Sequence, residues 1–163
     1  MTLAQYIAQD LEREFAMTKA VLVAIPADKL AWKPHADLHT IGWNANHLAD
    51  IAGWTPLILG ASELDLSPPG APPYAPTALT DPTAIATLFD TNGAGTLAAL
   101  RDVAETTFEE PWSLKMGGHT IFTMKKGACL RKWVVSHLAH HRAILSADLR
   151  MAGVAQQSVF EIM

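Results

Sequence analysis

The sequence predicts an all-α fold, a four-helix bundle that forms one domain over residues 1–163. Three observations support it: four long segments with apolar residues every three or four positions, one proline-rich crossover, and almost no segment with strand character. A chain of 163 residues has the usual size of one domain, and 50% hydrophobic residues leave ample material for a core.

The first predicted helix covers residues 3–25, where apolar residues recur at helical spacing. Thr2 and Gln5 have the form of a capping box, in which each side chain bonds the backbone N–H of the other residue. Pro26 is expected to end the helix, because proline has no N–H to continue the hydrogen-bond ladder.

The second predicted helix covers residues 41–60 and follows an aperiodic connection over 31–40. Thr40 is the expected N-cap, and Pro56 is expected to kink the last turn. The crossover over 61–79 holds five of the ten prolines, which favours an extended path. A connection of this length can run along a whole bundle, so the third helix need not lie antiparallel to the second.

The third predicted helix starts with Asp81 as cap and Pro82 at the first helical position, an arrangement typical of helix N-termini. Its middle contains Asn92, Gly93 and Gly95, which weaken a helix, but the apolar spacing continues past them. We therefore expect an unbroken helix to about Phe108.

The stretch 112–123 is the only one with strand character, and its glycine pair 117–118 could form a tight turn. A short hairpin or a plain loop is expected there. Thr123 is the predicted cap of the fourth helix, which runs to Gly153, a residue suited to a C-terminal cap. No element is assigned to the tail 156–163.

Charge and cysteine content exclude several classes of function. A net charge of −4 gives no basic surface for nucleic acid or an anionic membrane, so neither partner is expected. No apolar run is long enough to cross a bilayer, and no leader is recognised at the start. The single cysteine, Cys129, cannot form an internal disulfide and is interpreted as a small buried hydrophobic residue. We expect a cytoplasmic protein.

Three histidines point to a metal site. His137 and His141 stand four residues apart, so both rings project from one helix face, and His47 takes an apolar position on the second helix. Converging rings in an apolar interior need partners, and one divalent cation satisfies all three. The alternative is that each histidine is an isolated core residue, bonded to a backbone carbonyl or to a side chain such as Asn44.

Three neutral imidazoles leave a cation its full charge and an open fourth position, the pattern of a catalytic zinc site. The glutamate base of HExxH proteases is absent, since Leu138 stands at its place, and no helix carries the Glu-x-x-His element of di-iron bundles. No catalytic residue is assigned.

Four further residues are candidates for the surroundings of the metal. Asp50, one turn after His47, is a candidate for orienting a ligand ring, although a solvated acid is the commoner outcome. Trp43 and Trp54 could line a pocket or serve as core or interface residues. His140 points away from the pair on its helix and is expected at the rim.

The order of these parts resembles the DinB/YfiT-like superfamily. The matching stretches are KLAWKPHADLHTIGWNANHLAD, after the first helix, and VVSHLAHHRAILSADLRMAG, in the last. The best motif is HxxxHR, from His137 to Arg142, because the upstream histidine and the proline-rich crossover accompany it. The resemblance extends over most of the chain, from Leu3 to Gly153.

This resemblance implies a metal triad of His47, His137 and His141, an up-down-down-up helix order, a homodimer, and a nickel, zinc or iron ion with water in the open position. Characterised relatives include transferases and isomerases that use low-molecular-weight thiols. The Arg-Gly-Gln that often follows the last histidine is Arg142-Ala143-Ile144 here, so no role of that glutamine is carried over.

The expected function is therefore that of a metal-dependent enzyme acting on a small-molecule substrate, which activates either a low-molecular-weight thiol as an S-transferase or a water as a hydrolase. The alternative is a non-catalytic dimeric bundle that serves as a binding or stress-response module. An open cleft of more than about 300 Å³ beside the histidines would favour catalysis.

Overall fold

The computed structural model describes residues 1–156 and confirms a mostly helical fold. Residues 157–163, which hold most of the unassigned tail and the end of the predicted domain, lie outside the described part. The elements are α1 (Leu3–Leu22), α2 (Ile41–Ala52), α3 (Trp54–Gly60), β1 (Glu63–Asp65), α4 (Pro82–Asp102), β2 (Pro111–Met116), β3 (His119–Lys125), α5 (Lys126–Cys129), a π-helical segment (Leu130–Ser136) and α6 (His137–Met151).

Helix α1 begins with the predicted capping box. Thr2 Oγ1 accepts a hydrogen bond from the Gln5 N–H at 3.2 Å, and Gln5 Oε1 accepts one from the Thr2 N–H at 2.9 Å. The helix ends at Leu22, three residues before the predicted end at 25. Its last turn tightens, because the Ile25 N–H reaches back only to the Leu22 carbonyl.

The predicted second helix is two helices, α2 and α3, and the interruption lies at Gly53 rather than at Pro56. Proline excludes the carbonyl four residues earlier from the helical ladder, so the irregularity falls on the preceding turn. The carbonyl concerned is that of Ala52. It accepts a hydrogen bond of 2.5 Å from Thr96 Oγ1 of α4 instead.

Helix α4 continues through Gly93, as predicted, and Gly93 serves packing. A Cβ there would lie 3.3 Å from the ring of Phe15, so glycine lets α1 and α4 approach closely. The predicted end at Phe108 is wrong, since the helix stops at Asp102. The chain then turns, and the Glu105 carboxylate accepts hydrogen bonds from the first backbone N–H groups of α1.

A small three-stranded sheet modifies the all-α prediction. The predicted hairpin is formed by β2 and β3, with Gly117 and Gly118 at positive φ in the turn, and β1 from the crossover pairs in parallel with β2. Thr123 is not a helix cap: it lies in β3, where its hydroxyl bonds that of Ser113 at 2.7 Å. Strand pairing continues to Lys125, so the last helical segment begins later than predicted.

The core lies between α1, α2, α4 and α6. Helix α4 packs against α1 and α2, and α6 packs against the same two helices from the other side. Their buried apolar stripes meet in one cluster that includes Leu11, Leu48, Phe89 and Leu138. Among residues 1–156, no helix is long and apolar enough to cross a membrane.

Candidate metal centre

The rings of His47, His137 and His141 converge between α2 and α6. The Nε2 atoms of His47 and His137 lie 3.4 Å apart, and those of His137 and His141 lie 3.0 Å apart. One ring nitrogen from each of the three lies within 4.8 Å of the other two. Each of the three side chains is half-buried, so the cluster lies at the edge of the core.

Local helix geometry explains why these rings meet. His47 lies in the middle of α2, and His137 and His141 occupy the first residue and the next turn of α6. The π-helical segment Leu130–Ser136 directly precedes His137. Such segments occur often at functional sites, because the extra residue per turn shifts the side chains on one side relative to the other.

Asn44 fixes the orientation of one ring. His141 Nδ1 lies 2.7 Å from Asn44 Oδ1. An amide oxygen only accepts, so Nδ1 carries the proton and donates it to Asn44. The Nε2 of His141 therefore keeps its lone pair and faces His137. Metal-binding histidines are oriented in the same way by an acceptor on the other ring nitrogen.

The surroundings keep these imidazoles neutral. The pKa of His47 is lowered to about 4, mainly by burial and also by the nearby His137, while Asp50 acts in the opposite direction. Burial likewise lowers the pKa of His141 to about 3, helped by the other two rings. The pKa of His137 also falls through burial, although its contact with the Trp133 backbone opposes the shift. Only neutral imidazoles bind metals.

The donor set fits one small divalent cation. Two imidazole nitrogens on a tetrahedral ion at about 2.0–2.1 Å from each lie about 3.3 Å apart. The separations from His137 Nε2 to the Nε2 atoms of His47 and His141, 3.4 and 3.0 Å, are close to this value. Without a cation, the Nε2 of His141 is paired only in the tautomer of His137 that carries its proton on Nε2. The Nδ1 of His137, moreover, is buried and makes no hydrogen bond of good geometry. The structure thus offers a three-nitrogen site with one side free of protein ligands among the described residues.

Three indoles surround the histidines. Trp43 stacks on His47 with ring centroids 4.8 Å apart, and His39 stacks on the other face of Trp43 at 3.5 Å. Trp54 packs against His47 and His137, each at 5.5 Å, and Trp133 packs against His137 at 5.7 Å. These rings exclude water from the flanks of the cluster.

The other candidates take different places. Asp50 accepts hydrogen bonds from the backbone and the hydroxyl of Thr77, so it ties the crossover to α2 and makes none to a histidine of the cluster. His140 is exposed, with its ring 5.0 Å from that of His141, at the rim as expected. Cys129 is fully buried, and burial raises the pKa of its thiol to about 11.

Arg142, the last residue of the HxxxHR motif, faces away from the cluster. Its guanidinium pairs with Glu14 of α1 at 2.7 Å, and both side chains are largely buried. The arginine therefore holds α6 against α1.

Two residues contribute to the cluster in roles that were not predicted, Asn44 as the orienting partner of His141 and Trp133 as a wall of the cluster. Asn44 lies one turn before His47 on the same stripe, which was the available signal, but it was considered only as a partner for an isolated histidine. Spacing places Trp133 one turn before His137 on the same apolar stripe, which was the available signal, but an indole there is more often a core or interface residue.

An apolar pocket of about 200 Å³ lies next to the cluster, on the side of Trp54 and Trp133. It is smaller than the cleft of about 300 Å³ expected for a whole drug-sized ligand. Its wall includes Trp54, one of the two indoles considered as pocket residues, whereas Trp43 lies on the opposite, more exposed side of the histidines.

The sequence profile of the DinB superfamily matches residues 10–145 of this chain. The chain belongs to the DinB superfamily. The match spans the three histidines and the whole crossover. Among curated proteins, no sequence matches this DinB chain.

Two solved structures share the DinB fold seen here. YfiT from Bacillus subtilis, described as a probable metal-dependent hydrolase with an unusual four-helix bundle topology, is 20% identical with a TM-score of 0.71, over 93% of this chain and 89% of that one. A DinB-like protein from Bacillus cereus is also 20% identical, with a TM-score of 0.67 over 93% and 94% of the two chains. At this identity the likeness establishes the fold alone.

Proposed function

We propose that this DinB protein binds one divalent metal ion through the Nε2 atoms of His47, His137 and His141 and uses it for catalysis on a small molecule. The observation that supports this most directly is the convergence of three neutral imidazoles, one of them oriented by Asn44, with Nε2 separations of 3.0 and 3.4 Å. Nickel, zinc and iron all accept such a donor set.

When bound, the ion supplies a Lewis acid that lowers the pKa of a thiol or a water in the open position. Asn44 holds His141 in the ligating tautomer, and Trp43, Trp54 and Trp133 limit the access of bulk water. A low dielectric around the site strengthens every electrostatic contact with a developing negative charge. Among residues 1–156, no carboxylate joins the cluster, so the protein part of the site stays neutral.

The two reaction classes have different support. Hydrolysis is favoured by the structural likeness to YfiT, which is described as a probable metal-dependent hydrolase. Thiol S-transfer is favoured by the sequence resemblance of the two histidine-containing stretches. Under this proposal the helices run up-down-down-up, the protein acts in the cytoplasm, and it forms a homodimer that binds neither nucleic acid nor membranes.

Metal analysis of matched variants tests the proposal. The tag-free protein is loaded with Zn²⁺, Ni²⁺ or Fe²⁺ and desalted, and its metal content per chain is measured by elemental mass spectrometry. We expect one ion per chain in the wild type and in His140→Ala, and less than a tenth of that in His137→Ala and His141→Ala. Equal metal content in all four proteins would contradict the site.

Activity screens then separate the reaction classes. The loaded protein is assayed with low-molecular-weight thiols and a panel of electrophiles, and separately with ester and amide substrates. Turnover that needs the thiol identifies a transferase, and turnover without it identifies a hydrolase. A metal-loaded protein without turnover in either screen would favour the second candidate, a non-catalytic dimeric module. The modest volume of the neighbouring pocket, about 200 Å³, also favours that candidate.

A further inference from the structure

The pocket beside the histidines has an apolar wall. It lies between α3, the sheet and the helical segment before α6, and no charged side chain lines it among the described residues. Its wall includes Trp54, Ile58, Leu64, Trp112, Leu114 and Trp133. Such a wall offers water no hydrogen-bond partners, and cavities of this kind bind apolar molecules such as benzene.

Two residues connect the pocket with the metal site. Trp54 and Trp133 line the pocket with one part of their indoles and pack against the ring of His137 at 5.5 and 5.7 Å. The pocket and the histidines therefore lie on either side of the same two side chains. A molecule that occupies both places has to pass the edges of these two indoles.

The size of the pocket limits what it can hold. A volume of about 200 Å³ exceeds the cavity of about 150 Å³ that is known to hold benzene, so one aromatic ring or a chain of about six carbons fits. Leu57 and Tyr74 line the pocket and are 46% and 40% exposed, so they mark its open side. A larger or charged group would have to stay outside.

We infer that the substrate of this site is an amphiphilic small molecule, with a polar reacting group at the histidines and an aromatic ring or short alkyl chain in this pocket. The inference rests on the proposed function. Low-molecular-weight thiols that carry charged groups do not suit such a wall, so the apolar group belongs to the molecule on which the activated thiol or water acts.

The first experiment tests the pocket without the metal. Toluene binding to the metal-free protein is measured by ligand-observed NMR in the wild type, Leu57→Trp and Leu38→Trp. Leu57 lines the pocket and Leu38, also exposed, does not, so the second variant controls for an added indole. We expect Leu57→Trp to weaken toluene binding at least tenfold and Leu38→Trp to leave it unchanged. Equal binding in all three proteins would overturn the inference.

The second experiment tests the link to the metal and needs no variant. Unbranched alkanethiols of two to eight carbons are titrated into the Co²⁺-loaded protein, and the thiolate-to-cobalt absorption band is followed. We expect the affinity to rise roughly threefold to fourfold per methylene and to level off at about six carbons. An affinity independent of chain length, with cobalt bound, would overturn the inference. Failure to bind cobalt would overturn the proposed function instead, while the toluene result would still decide on the pocket.

Discussion

Asn44 Oδ1 and His141 Nδ1 lie 2.7 Å apart, and this contact links the packing of α2 to the chemistry of α6. Asn44 is 2% exposed, so its amide has a fixed position in the core. The hydrogen bond at Nδ1 fixes the ring of His141, and its unprotonated Nε2 faces His137. The proposed metal site thus depends on a residue outside its ligand set.

Removing this contact should weaken metal binding without removing a ligand. We expect Asn44→Leu to lower the affinity for Zn²⁺ about 10-fold to 100-fold, the usual effect of losing a partner that orients a histidine. Competition with a chromophoric chelator measures the affinity. Asn46→Leu is the control, because Asn46 is equally buried on α2 but bonds Leu79 of the crossover. Equal affinity losses in the two variants would point to a general loss of packing.

The metal-free protein should lose stability in mild acid. Folding lowers the pKa of His47 to about 4 and that of His141 to about 3, from an ordinary value of 6.5. Below pH 6.5 the unfolded chain therefore binds protons that the folded chain does not, and the free energy of unfolding decreases as the pH falls towards 4. Urea denaturation at pH 7.5 and pH 5, with a chelator present, measures the effect.

Two variants separate this effect from other titrations. His141→Gln should reduce the loss of stability between the two pH values, because it removes one of the shifted groups. His119→Gln should not, since that histidine is exposed in the hairpin. If both variants showed the pH dependence of the wild type, the buried rings would not be its cause.

Much of the bundle could be predicted from the sequence, because local signals and tertiary packing agree there. The Thr2–Gln5 capping box and the glycines of α4 behaved as expected. The sheet was harder: β1 is only three residues long and is formed through pairing with β2, which a local pattern does not reveal. For the same reason Thr123 looked like a helix cap, whereas pairing with Ser113 keeps it in a strand.

For the site, the sequence placed the three histidines on facing stripes, and the structure brings their rings together. Whether they bind metal stays a prediction. Spacing could not supply what depends on tertiary distances, namely the anchoring of the crossover by Asp50 and the contact of Asn44 with His141. Both result from contacts between residues far apart in the chain.

The ion pair between Glu14 and Arg142 should be costly to break from one side. The side chains are 16% and 11% exposed, so a single removal leaves a mostly buried charge. We expect Glu14→Leu to reduce the free energy of unfolding by about 3–5 kcal/mol, and Glu14→Leu with Arg142→Met to restore most of the loss. Thermal and urea denaturation of the metal-free proteins measure both. A double variant less stable than Glu14→Leu alone would contradict this.

The hydrogen bond from Thr96 to Ala52 should matter because Pro56 makes it necessary. In a regular helix the Ala52 carbonyl would accept the N–H of residue 56, which proline lacks, and Thr96 Oγ1 takes its place at 2.5 Å. Thr96→Val leaves that buried carbonyl unpaired, and we expect the free energy of unfolding, measured by urea denaturation, to fall by about 1–3 kcal/mol.

Thr91→Val is the control. Thr91 is exposed on the same helix and bonds only the Thr87 carbonyl of its own helix, so this variant should change the free energy of unfolding by no more than about 0.5 kcal/mol. With Pro56→Ala in the background, an N–H becomes available and the cost of Thr96→Val should fall. If the cost of Thr96→Val were the same in that background, the missing N–H of Pro56 would not be the reason why Thr96 stabilises the protein.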